Sequence, residues 1–183
     1  MTNAGRYKTF WKRLFAGIID GVVFLPLIII QIIIEENFID TYSRWIFIGA
    51  EFFYTICWIL YVMVGHGKYG QTIGKKLMRI KVFDIDEKTL IGYRRAFLRE
   101  SVWFFVSVAG IIYLIIRTQN ISSINEEISE QYDDIVGITS LTWLVIELIT
   151  MLSNYKRRAV HDYIAGSVVI DLKVAERENL NNL

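Results

Sequence analysis

Four long apolar runs separated by polar stretches dominate the hydropathy pattern of this 183-residue chain. They cover about residues 14–34, 45–64, 101–116 and 135–153, and Ala96, Phe97 and Leu98 extend the third inward to 96–116. At about 1.5 Å of rise per residue, runs of ~20 residues match the hydrocarbon thickness of a bilayer. The pattern therefore predicts an all-α integral membrane protein with four transmembrane helices. Two shorter stretches alternate apolar and charged positions as half-buried strands do: Met78–Asp84 and Ile170–Val174. They predict a two-stranded ribbon against the membrane surface. The resulting organisation is an interfacial segment 1–13, a membrane domain 14–174 and a polar, frayed tail 175–183.

Charge fixes the orientation. All lysines and arginines except Arg44 and Arg117 fall before the first run, between the second and third, or after the fourth. The other two loops carry Glu35, Glu36, Asp40, Glu126, Glu127, Glu130, Asp133 and Asp134. The positive-inside rule then places both ends in the cytoplasm, N-in and C-in. Arg6, Tyr7, Phe10, Trp11, Lys12 and Arg13 suit the inner interface, where aromatic rings and snorkelling bases settle. The first run is long, holds Asp20 and lacks a small-x-small cleavage site, so it reads as a helix and not as a signal peptide. Cys57 lies within the second run and reads as a small packing residue. The outer stretch 118–134 is acidic and includes the sequon Asn120-Ile121-Ser122.

Asp20 is the only ionisable side chain of its run, and a carboxylate at such depth costs about 2.5–3.5 kcal/mol on insertion scales. Arg13 stands seven residues earlier, about two turns away on the same helix face. Gly17 and Gly21 give a small-xxx-small spacing, extended by Ala16, that permits a close helix contact, and Pro26 predicts a bend beyond Asp20. Glu51 in the second run and Glu147 in the fourth complete a set of three intramembrane acids. Asp20 and Glu147 fall roughly 4–6 Å to the inner side of the midplane, and Glu51 a similar distance to the outer side. Asp20, Glu51 and Glu147 are thus candidates for proton or cation binding; the alternative is three neutral acids hydrogen-bonding helix to helix.

Other chemistries are not supported. Gly70 and Gly74 enclose three residues where a Walker A loop needs four, and Lys76 stands where it needs Ser or Thr. His66 and His161 are too few and too far apart for a metal motif, and no triad is visible, so no catalytic residue, metal or cofactor is expected and the chain does not read as an enzyme. Arg94, Arg95 and Arg99, and Lys156, Arg157 and Arg158, flank the helices where they would meet anionic headgroups; nucleic acid is not an expected partner.

The residues Arg13-Leu-Phe-Ala-Gly-Ile-Ile-Asp20 resemble the start of the RDD membrane-protein family, whose hallmark is an arginine, an aspartate in the first helix and a second aspartate elsewhere. Gly70–Val82, Arg94–Arg99 and Arg157–Val169 resemble further family segments in the expected order, over roughly residues 10–172. The resemblance assigns Asp162 as the second aspartate. Shared membrane side and opposite charge then predict a clamp between Asp162 and Arg13, with Asp20 completing the motif. Arg13 could instead reach inward to Asp20.

For function the resemblance implies either cation/proton antiport, attributed to some members, or a regulatory or scaffolding role beside membrane proteases and quality-control assemblies. The first makes Asp20, Glu51 and Glu147 a path for Na+ or H+. The second makes the chain a non-catalytic adaptor with a membrane-protein partner; either reading places it in a bacterial cell membrane. Four helices are few for a solitary transporter, which favours a homo-oligomer or an accessory role, whereas the three buried acids favour transport and put it first; convergence of the acids on one hydrated cavity would separate the two.

Overall fold

The structure, a computed structural model, describes residues 3–38, 44–119 and 126–180. Asp40 and the Asn120–Ser122 sequon lie outside them. After a 3-10 turn at Asn3–Tyr7 the elements are α1 (Phe10–Phe38), α2 (Arg44–Val64), a π-helical turn at Gly65–Tyr69, α3 (Ile73–Leu77) and β1 (Ile80–Asp84). Then come α4 (Gly92–Arg117), α5 (Glu126–Leu152), α6 (Val160–Ala165), β2 (Ser167–Asp171) and α7 (Leu172–Leu180). Helices α1, α2, α4 and α5 are long and apolar enough to cross a membrane. With the two-stranded sheet, this is the expected architecture.

The helices outrun their apolar runs, because hydropathy marks the bilayer crossing and not the helix end. Helix α5 begins at Glu126 rather than near 135. Its first turns bury Ser129 and the i, i+4 pair Ile128 and Tyr132, the latter two packed with Phe47, Ile48 and Leu114, while Glu127, Glu130, Asp133 and Asp134 face outward. Helix α1 continues through Pro26. It meets α2 through Phe24, whose ring stands edge-on to Tyr54, Trp58 and Tyr61 at centroid distances of 6.1, 5.0 and 5.1 Å.

The small-xxx-small pair is not the contact the spacing suggested: a Cβ on Gly17 or Gly21 would meet nothing within 4 Å. The close approach is one residue earlier, at Ala16, which is fully buried. There α3 lies directly on the backbone of α1, and a Cβ on Gly74 would stand 2.1 Å from the Ala16 carbonyl oxygen.

The strands pair antiparallel, with Ile80 opposite Asp171, Val82 opposite Val169 and Asp84 opposite Ser167. The second strand lies three residues earlier than its alternating pattern suggested, because every residue of β2 is buried and a strand covered on both faces does not alternate. Ile80, Val82 and Val169 face the bundle, in a cluster with Ala16, Ile91 and Ala96. Val168 and Ile170 pack on the other side against Tyr7, joined by Phe83 and Ala175. The tail beyond 174 is therefore helical in α7 through Leu180, held where Ala175 reaches the Tyr7 cluster. Two strands alone are marginal, so covering both faces is what stabilises this ribbon.

Candidate functional site

Three polar centres tie this ribbon layer to the bundle. The first is Asp162, fully buried on α6. Its Oδ2 accepts from Arg13 Nη1 at 2.6 Å and from the Ala159 amide at 3.1 Å. Its Oδ1 accepts from Arg99 Nη1 at 2.5 Å and Ser167 Oγ at 3.1 Å. Arg13 therefore pairs with Asp162 and not Asp20, and a second guanidinium from α4 completes the clamp. Burial pushes the Asp162 carboxyl upward, but Arg13 and Arg99 outweigh it and hold it well below the usual carboxylate range. Arg158 fastens the same turn from outside, donating to the backbone oxygens of Asp162 and Ser167, each at 2.9 Å.

The second centre is Asp20, 3% exposed. Its Oδ1 accepts from Tyr61 Oη at 2.6 Å and the Gly74 amide at 2.7 Å, and its Oδ2 from Thr72 Oγ1 at 2.6 Å. Thr72 is the N-cap of α3, its Oγ1 accepting from the Lys75 amide at 3.4 Å. Asp20 is thus the socket into which the first turn of α3 plugs, and only a glycine at 74 lets that turn lie close enough. Lys75 is half-buried beside it, and desolvation reinforced by the Arg99 charge pulls its ammonium down to about 8, against the attraction of Asp20. A depressed base pKa means that the unfolded chain binds more protons between about pH 8 and 10.5, so stability rises with pH there. Lys75→Met should be more stable than the parent at neutral pH, with the gap closing as pH climbs through that window in denaturant titrations. A gap that widens would contradict this.

The third centre joins Glu147 of α5 to His161, whose Nδ1 contacts the Glu147 carboxylate while Nε2 lies 2.7 Å from Arg99 Nη2. Arginine only donates, so Nε2 accepts and Nδ1 carries the proton given to Glu147. Glu51 stands elsewhere, taking bonds from Gln31 and, at 3.1 Å, from Tyr132 Oη. Asp20, Glu51 and Glu147 thus have three different sets of partners. Among the described residues no group of three His, Cys, Asp or Glu could hold a metal ion.

Several basic residues expected at headgroups are bound within the protein. Arg99 is on Asp162, Arg95 on Asp84 and Lys156 on Glu87, which Arg6 and Tyr7 also reach. Sequence reasoning missed the structural role of Arg99, which reads as one of three flanking bases. It also missed Glu100, which lines a cavity of about 420 Å³ between α2, α4 and α5 together with Glu51. His66 Nδ1 stands 3.8 Å from Glu100 Oε1, and neither ring nitrogen of this buried histidine has a hydrogen-bond partner.

No curated protein and no solved structure matches the chain. The model of the RDD family matches residues 7–166, which takes in Arg13, Asp20 and Asp162, all three placed at the junction of bundle and ribbon. The motif and the span of that match place the chain in the RDD family of membrane proteins.

Proposed function

We propose that this integral membrane protein is a non-catalytic adaptor of a bacterial cell membrane, in which the motif charges build a rigid cytoplasmic collar for a membrane-protein partner. One observation carries the reading: three donors already occupy the Asp20 carboxylate, one of them a backbone amide. An acid bound in this way acts as a structural acceptor that ties α2 and α3 to α1. The separate partners of Glu51 and Glu147 support the same role. Reconstitution in sealed vesicles tests it: no sodium-dependent proton flux is expected. In native membranes, Arg13→Ala should cost the protein its partner and abundance together. Flux from the purified protein would overturn the reading.

A second reading, passage of Na+ or H+, is favoured by the cavity that Glu51 and Glu100 share. On that reading Glu51→Gln and Glu100→Gln, with folding retained, each abolish flux, while Asp20 supports the fold and carries no ion.

A further inference from the structure

We infer that the cavity between α2, α4 and α5 is a binding site for an organic monocation: a primary ammonium on an aromatic or alkyl body. The inference is independent of the adaptor reading. A volume of about 420 Å³ falls within the ~300–1,000 Å³ of small-molecule pockets. The walls carry Tyr54, Trp58, Trp103 and Tyr132, with Glu51 and Glu100 on the same lining. The lining runs from Glu51 to Ile59 on α2 and from Glu100 to Ser107 on α4, so the slot is ~10–12 Å long at 1.5 Å per residue. Glu51 lies toward the start of α2 and Glu100 toward the start of α4, the opposite membrane side, which sets one carboxylate toward each end.

This lining selects among occupants. Aromatic faces attract a cation and also pack an apolar body, a combination suited to organic ammonium groups. A bare divalent ion needs several oxygen ligands, and the described residues form no such cluster. A lipid acyl chain would set both carboxylates against hydrocarbon. The ammonium head belongs at Glu100. Glu51 already accepts from Gln31 and Tyr132, whereas among the described residues Glu100 makes no hydrogen bond. Behind it, outside the cavity lining, the buried His66 ring stands 3.8 Å from Glu100 Oε1 and leaves that carboxylate without a hydrogen bond. A primary ammonium has three donors and can meet the Glu100 carboxylate directly.

The test is calorimetric titration of phenethylammonium into the full-length protein in phosphatidylcholine nanodiscs. Saturable one-site binding is expected, with the neutral isostere phenethyl alcohol at least ~10-fold weaker. Glu100→Gln should weaken phenethylammonium by ~10-fold or more. Trp103→Leu should weaken it several-fold, Trp103→Phe less, and Trp143→Phe, which lies in the neighbouring groove, not at all. Should Glu100→Gln fail to fold, the Trp103 pair carries the test. Equal uptake of alcohol and ammonium, partition into the lipid only, or indifference to these variants overturns the proposal.

Discussion

Asp162→Ala is expected to destabilise the folded protein by about 3–5 kcal/mol, the range for removing one partner of a buried ion pair. The deletion leaves Arg99, with a side chain 3% exposed, and Arg13, with one 11% exposed, buried without their shared anion. It also frees the Ala159 amide at the N-cap of α6 and leaves Ser167 Oγ, at the start of β2, bonded to Arg99 alone. The ribbon layer should therefore loosen from the bundle before the bundle itself unfolds. Unfolding free energies in bicelles, with proteolysis near α6 as a local readout, check both parts; a loss below about 1 kcal/mol would rank the clamp with exposed pairs. Because the Asp162 pKa is depressed, its contribution is complete above the unfolded value near 3.9 and is lost only as pH falls through the lower folded value. Mild acid should leave the clamp intact.

Gly74→Ala is the second large effect, expected to cost at least ~3 kcal/mol. Overpacking alone typically costs about 1–3 kcal/mol, but here the new methyl would meet the Ala16 carbonyl at 2.1 Å and Asp20 Oδ1 at 2.9 Å. Both obstacles belong to α1, one of them to its backbone, so relief requires α3 to back away and release the Gly74–Asp20 bond. Gly17→Ala and Gly21→Ala are the controls: each adds a methyl to open space and should change stability by no more than about 0.5 kcal/mol. Thermal melting of the three variants side by side decides the matter. Equal effects would mean that α3 does not rest on α1 as described.

That contrast shows what the sequence could and could not reveal. The four crossings and the Arg13–Asp162 pair were legible because hydropathy, charge asymmetry and motif resemblance are one-dimensional signals. The donors to Asp20 were not: Tyr61, Thr72 and Gly74 lie more than forty positions away, and nothing local in a tyrosine, a threonine or a loop glycine marks them as its partners. Arg99 hid among flanking bases because burial separates it from Arg94 and Arg95, not composition. Glu100 hid at the polar edge of its apolar run, where a carboxylate is ordinary until α2 and α5 close around it. The true β2 was obscured by its own success at burial, since Val168, Val169 and Ile170 no longer alternate.

The central claim is that Asp20 is a structural acceptor, and the unfolding free energy of Asp20→Asn in nanodiscs tests it most directly. The amide keeps the shape, removes the charge and turns one acceptor into a donor facing donors. Loss of about 2–4 kcal/mol is the predicted result, from two or three weakened charge-assisted bonds. Unchanged or increased stability would contradict the account, because neutralising a buried acid held ready to titrate removes a desolvation cost instead of a set of bonds.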